Sequence, residues 1–466
     1  MEKLFKIKER GSTVGREIAG GVTTFLAMAY ILAVNPGMLS QAGMSFDSVF
    51  TATAVSAAFA TLVMAFIANL PVALASGMGL NAFFTYTVVM QMNCSWQFAL
   101  TAVFLEGIIF IGLSLFGIRE AIIKSIPLSL KKAVSVGIGL FITLIGLANA
   151  GICSSSTGTI VGFVNFNMLH TTALVAIIGL LITIVFYVLK IPGGILISIG
   201  LTTIIGIPFG VTKIPENWSA IASPAAPYLM EFEWGSILSV KFFVVLITFL
   251  FTDLFDTIGT LMGVAEQGNL KDKDGNVLNA KGALIADSVG TVAGACLGTS
   301  TVTSYVESAS GVAAGARTGF ASLVTSVLFI VALFFNPVFA IIPSCATAPA
   351  LIFVGYLMMQ SVKGIDFSDP TEGIPAFITI MSMPFSYSIS KGIMLGIITY
   401  VVVKCVARRI KDVPVVTMIL AAVFVADIVF EGCKEKAPEK ETEVVTVSSD
   451  STSDAVDGGA AVTVEQ

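Results

Sequence analysis

Apolar runs of about 20 residues, each long enough to cross a bilayer as a helix, recur along most of this sequence. That recurrence is the strongest limit on its fold. Lipid offers the backbone no hydrogen bonds, so such runs must satisfy their own N–H and C=O groups as helices, and any interrupted stretch must face protein or a wet cavity. Of the 466 residues, 56% are hydrophobic and 12% charged, with a mean hydropathy of +0.93. Soluble domains run to roughly a quarter charged. The chain therefore reads as an all-α polytopic membrane protein. Its first ten residues, MEKLFKIKER, are charged and amphipathic. The apolar run behind them is too long for a signal peptide and lacks a small-residue cleavage site. Lys3, Lys6, Lys8, Arg10 and Arg16 place the N-terminus in the cytoplasm.

In the first half, crossings are expected at residues 14–39, 49–70, 71–90, 96–118, 134–152, 172–189 and 195–209. In the second half they are expected at 238–264, 282–297, 298–315, 320–341 and 346–359, followed by shorter apolar pieces at 375–386 and 393–405. A further apolar helix, 413–430, has no orientation fixed by its flanks. Between the halves runs a polar, proline-bearing loop, 210–234, whose Trp218 and Trp234 suit a membrane interface. From Glu431 the Glu-, Ser-, Thr- and Gly-rich tail reads as disordered.

The third and tenth segments differ from the rest. The third holds Pro71, Gly77, Gly79 and Asn81 in PVALASGMGLNAFF, and the tenth is the small-residue string GTSTVTSYVESASG. Both favour turn or extended backbone over helix, so both are expected to be discontinuous. Each is the third crossing of its half. Paired interrupted segments of this kind point to a transporter site between inverted repeats.

Acid placement adds the chemistry. Asp253 and Asp256 stand three residues apart in TFLFTDLFDTIGTLMGVAEQ, on one face of a helix. Glu307 lies in the tenth segment. A carboxylate at mid-bilayer costs about 2.5 to 3.5 kcal/mol on the insertion scale, so three of them in apolar surroundings mark a solute or ion site. Carboxylates accept hydrogen bonds from a solute's N–H groups, and Asn81 both donates and accepts. That pattern fits a flat heterocycle with alternating donors and acceptors, such as a nucleobase. Phe83, Phe84 and Tyr305 offer ring faces for stacking.

Structural readings stand beside these. Asp253, Asp256 and Glu307 could serve as polar helix contacts, Asn81 could cap a half-helix, and Phe83 and Phe84 could simply pack.

His170 is the only histidine, and the six cysteines are scattered, so no metal site and no cofactor is expected. Glu307 and Asp253 are expected first to bind the solute and Asp256 to couple protons or hold the pair; Asp253 and Glu307 are also candidates for the coupling, with Na+ as the rival ion. Asp272, Asp274 and Asn276 have the spacing of a calcium loop, but Val277 and Ala283 stand where its glycine and glutamate belong. The net charge of -5 comes largely from the tail and gives no reason to expect a nucleic-acid partner.

Five stretches carry a family resemblance: REIAGGVTTFLAMAYILAVNP, SGMGLNAFF, FTDLFDTIGTL, TSTVTSYVESASGVAAGARTG and TAPALIFVGYLMM. In this order they resemble the AzgA-like purine permeases of the nucleobase-ascorbate transporter family, also called nucleobase-cation symporters of the second class. The resemblance implies proton-coupled uptake of hypoxanthine, guanine and adenine by an elevator-type movement, and no enzymatic activity. It also implies about fourteen segments in two inverted seven-segment repeats, divided into core and gate domains, with a homodimer formed through the gate.

On that plan residues 1–13 are a cytoplasmic N-terminus, 14–118 and 238–341 the core, 119–209 and 342–430 the gate, 210–237 an extracellular loop and 431–466 the acidic tail. The implied substrate contacts are Glu307, Asp253, Asn81, Gly79 and Tyr305, with Phe83 and Thr24 completing the set. The histidine that related uracil carriers have on the eighth segment is absent, Val306 replaces a glycine found beside their tyrosine, and the helix after Cys405 exceeds the fourteen-segment plan. Uracil or xanthine transport, Na+ coupling and anion exchange on the same fold are the alternatives. Three acids in the site disfavour an anionic solute.

Overall fold

The computed structural model describes residues 2–116, 127–156, 159–163, 171–216, 218–271 and 277–435. His170, the calcium-like residues Asp272, Asp274 and Asn276, and the tail from 436 lie outside the described residues. Nine helices among the described residues are long and apolar enough to span a bilayer. The chain is a multi-pass membrane protein.

The first crossing comprises two helices, Val14–Met28 and Ile31–Gln41. At the join the backbone tightens, with Leu32 N–H bonding to Ala29 C=O and Ala33 N–H to Tyr30 C=O. The second crossing, Phe46–Val63, widens at Met64–Ala68 and stops at Asn69, whose φ of 52° ends the helix. Asn69 is also a tie point. Its side chain donates to Phe5 C=O (3.0 Å) and accepts from Gly319 N–H (2.8 Å). Its carbonyl accepts from Arg10 (2.7 Å). The basic N-terminal stretch thus buries Phe5 and Ile7 against Ala65 and Phe320, which its amphipathic pattern allows.

The third segment runs as an extended stretch, Leu74–Ser76, a short helix, Met78–Ala82, and a wide-turn helix, Phe83–Gln91. In the tenth, Val302–Ser304 is extended and Ser308–Ala313 helical. The two extended stretches pair antiparallel, Leu74 opposite Ser304, Ala75 opposite Thr303 and Ser76 opposite Val302. Gly77 N–H to Thr301 C=O and Tyr305 N–H to Ala73 C=O, both 3.0 Å, lengthen the ladder. Two short stretches that lack helical hydrogen bonds satisfy each other, which is what a buried interruption requires.

The helices pack in two groups. Trp96–Leu115, Ala280–Leu297, Phe46–Val63, Val14–Met28 and Gly319–Ala332 surround the paired stretches, with Val240–Gly268 against them. Leu128–Asn149, Thr171–Val188, Gly194–Gly206, Ser344–Met359, Pro370–Ser386 and Ile389–Val406 form the other group.

Several boundaries differ from expectation: the last helix runs to Glu435, through the start of the tail expected to be disordered from Glu431, and the piece expected at 393 starts at Ile389. The fifth crossing begins at Leu128 rather than 134 and so includes Lys131 and Lys132, whose long stems can cover apolar surface while the charges reach outward. The piece expected at 375–386 starts at Pro370, capped by Asp369, whose side chain accepts from Thr371 N–H. Proline at a helix's first turn lacks only a donor that would have gone unused.

Candidate functional site

Around the paired stretches the polar side chains bond to one another. Tyr305 donates its hydroxyl to Ser76 C=O at 2.5 Å. Thr61 accepts from Leu74 N–H (2.9 Å). The Asn35 amide reaches Thr53 (2.7 Å), Ser76 (3.3 Å) and Thr299 (2.8 Å). These contacts link the first, second, third and tenth segments at one place.

The expected acids divide into two settings. Asp253 is fully buried, and Thr257 one turn on lies 3.1 Å from it, 2.9 Å from Asp287 and 2.8 Å from the Thr303 hydroxyl. Asp256 is partly exposed and faces Gly77, with Asp287 and Glu307 within electrostatic reach. Glu307 is also partly exposed, and its carboxylate accepts the Tyr30 hydroxyl at 2.6 Å. Asp253 shares Thr257 with Asp287 of the ninth crossing, whereas Asp256 lies against Gly77 of the third segment. No Lys or Arg among the described residues ion-pairs with Asp256 or Glu307. The result is an electronegative patch edged by two phenols, Tyr30 and Tyr305.

The other expected residues fall at varied distances from that patch. Asn81 is buried, accepts from the Ser300 hydroxyl, and keeps an amide nitrogen without a protein partner. Gly79 is where the third segment touches the other helix group: a Cβ there would lie 2.7 Å from Ile138 Cγ2. Phe83 is fully buried, its ring edge-on to Phe249 with centroids 4.8 Å apart. That is packing geometry. Thr24 lies where the first crossing meets the tenth segment, since a Cβ on Gly311 would fall 2.0 Å from its Oγ1.

Sequence reading missed Tyr30, Asp287, Thr257 and Glu106. Glu106 is buried in the fourth crossing and accepts from Thr301 at 2.8 Å. Glu106 and Asp287 each stand alone in an apolar run, so the intramembrane-acid rule already applied to Asp253 would have found both. Tyr30 carries no such signal, because aromatic residues are common in apolar helices.

A profile described as a permease family, Xan_ur_permease, matches residues 15–395. The chain belongs to this family. Across 92% of its length the permease is 43% identical to the guanine/hypoxanthine permease PbuG of Bacillus subtilis, covering all of that protein. It is 40% identical to the adenine permease AdeP of Escherichia coli, over 92% of this chain and 96% of that one. The resemblance to AzgA-like purine permeases holds, and these relatives are permeases rather than enzymes. Among solved structures, the transmembrane domain of the cyanobacterial bicarbonate transporter BicA superimposes with a TM-score of 0.60 at 17% identity, over 82% of the permease and 97% of that domain. That likeness establishes the fold alone.

Proposed function

We propose that this permease takes up purine nucleobases, hypoxanthine, guanine and adenine, across the cytoplasmic membrane in symport with protons. The observation that carries the reading is the partly exposed Asp256 and Glu307 beside the paired stretches, with no described cation opposing them. Their oxygens accept from the N–H groups of a neutral base, whereas an anion meets like charge. The buried Asn81 amide supplies a donor for the opposite edge. The names of the related permeases support a purine.

Glu307 keeps its expected place on the base, but because Asp253 is fully buried and Asp256 partly exposed, Asp256 takes the base beside it in place of Asp253, with Tyr305 bordering it. Asp253, behind them with Thr257 and Asp287, belongs to the proton path, since facing acids in a membrane interior are the usual parts of a relay. The coupling ion is H+ and no other cofactor is invoked. The two helix groups are the core and gate of an elevator, with fourteen segments arranged as inverted repeats plus the helix Val415–Glu435. The gate forms a homodimer, and the N-terminus is cytoplasmic.

The test is uptake of labelled hypoxanthine, adenine, guanine, uracil and xanthine by cells lacking their own carriers, repeated with a protonophore and without Na+. Purine uptake that collapses with the proton gradient and ignores Na+ is the expected result. Uptake of no purine removes the substrate reading, and indifference to the protonophore removes the coupling.

A further inference from the structure

At the end of the first crossing remote from the N-terminus, a cavity of about 470 Å³ lies between the two helix groups. Small-molecule sites fall at about 300–1,000 Å³. One wall is the helix Ile31–Gln41, which lines the cavity with Ala33, Val34, Gly37, Met38 and Gln41; the other is built from Asn149 and the residues around Ser344 and Thr347.

Two features point to a ligand rather than a packing gap. First, polar side chains line both walls of the cavity: Ser40 and Gln41 on one, Asn149, Ser344 and Thr347 on the other, with Asn149 also donating to the Tyr86 hydroxyl at 3.2 Å. Two amides and three hydroxyls give donors and acceptors on facing walls, and Phe46 adds a ring. Second, the cavity follows the helix that ends at the site. From Gln41 down to Ala33 is about 12 Å of helix. Tyr30, which holds Glu307, is one turn below Ala33.

We infer that this cavity is an outer docking subsite, where a planar base is first held by Gln41 and Asn149 before it descends the face of Ile31–Gln41 to Tyr30 and Glu307. The inference rests on the purine reading above. The subsite spans the seam between the helix groups, so a base held there contacts both. Matching amide edges give it a role in selecting heterocycles over ions before the acids are reached.

Initial-rate purine uptake is measured in cells lacking their own carriers, with the unsubstituted chain, Gln41→Leu, Asn149→Leu and Ser344→Cys at matched membrane abundance. Purine binding is measured in parallel on the purified proteins. Each leucine variant is expected to raise KM for uptake about fivefold, the worth of one or two lost hydrogen bonds, while equilibrium binding to purified protein moves much less. Ser344 is exposed at the rim. A membrane-impermeant thiol reagent on Ser344→Cys is expected to block uptake above the unsubstituted background, and excess hypoxanthine to slow the labelling. Unchanged KM in both leucine variants, or labelling that neither blocks uptake nor is slowed by base, overturns the subsite while leaving the purine reading intact. Equal loss of uptake and of equilibrium binding overturns it too, because the residues would then act on the inner site or the fold. If the unsubstituted chain takes up no purine, both proposals fall.

Discussion

Tyr30 donates its hydroxyl to the Glu307 carboxylate at 2.6 Å, joining residues 277 positions apart. The bond ties the join in the first crossing to the start of the helical part of the tenth segment. It fixes one Glu307 oxygen and orients the other. Tyr30→Phe keeps the ring and removes the donor, so base affinity should fall about three- to tenfold with little change in abundance. Titration of the purified variant with labelled hypoxanthine checks this, and wild-type affinity would free Glu307 from Tyr30.

The two acids of the eighth crossing should respond differently to the same change. Asp256→Asn acts on a partly exposed group facing Gly77 and Glu307, and should weaken purine binding about tenfold or more, as lost bonds to a charged acceptor do. Asp253→Asn acts inside a fully buried group with Thr257 and Asp287, and its larger effect should be on proton-driven accumulation. Equilibrium binding measured beside gradient-driven uptake separates the two, and identical profiles would contradict the division.

Gly311 is a close-approach position. A Cβ there would stand 2.0 Å from Thr24 Oγ1 and 2.4 Å from Gly20 C=O, and the carbonyl cannot move without shifting a helix. Gly311→Ala should destabilise the protein by about 1–3 kcal/mol, the cost of overpacking. Thermal unfolding in detergent reads this as a lower midpoint, and an unchanged midpoint would mean that the first crossing and tenth segment are loosely joined.

The loop between the halves should loosen in acid. Glu233 accepts hydrogen bonds from Ser95 and Ser236, which hold its carboxyl below the usual glutamate value of 4.5. A lowered folded value means the carboxylate's contribution is complete above that pH and disappears as pH falls through the lower value. Hydrogen exchange of residues 218–236, normalised to the intrinsic amide rate at each pH, should therefore rise on acidification. Glu233→Gln should raise it at neutral pH and flatten the dependence, and a pH-independent loop in the unsubstituted chain would refute the coupling.

Some of this protein is written locally. Period-free apolar runs bounded by basic residues fix the membrane class, because the cost of an unpaired backbone in lipid leaves helices as the only general answer. Gly77, Gly79 and Asn81, and the threonine and serine run before Glu307, resist helix by their own conformational preferences, and the extended stretches Leu74–Ser76 and Val302–Ser304 occur within them. The unusual cost of acids in lipid singles out Asp253, Asp256 and Glu307 before any fold is known. The same rule, applied evenly, reaches Glu106 and Asp287.

Tertiary structure alone decided the rest. Asp253 and Asp256 stand only about 60° apart around their helix, and the packing of the neighbouring segments leaves Asp253 fully buried and Asp256 partly exposed. Tyr30 becomes a site residue only because the first crossing tightens beside it and the tenth segment passes within hydrogen-bond reach. Phe83 looks like a stacking ring in sequence and is a packed one in space, because Phe249 meets it. Partners hundreds of residues apart leave no local trace, so sequence determined which groups are costly enough to matter, and packing decided which of them meet.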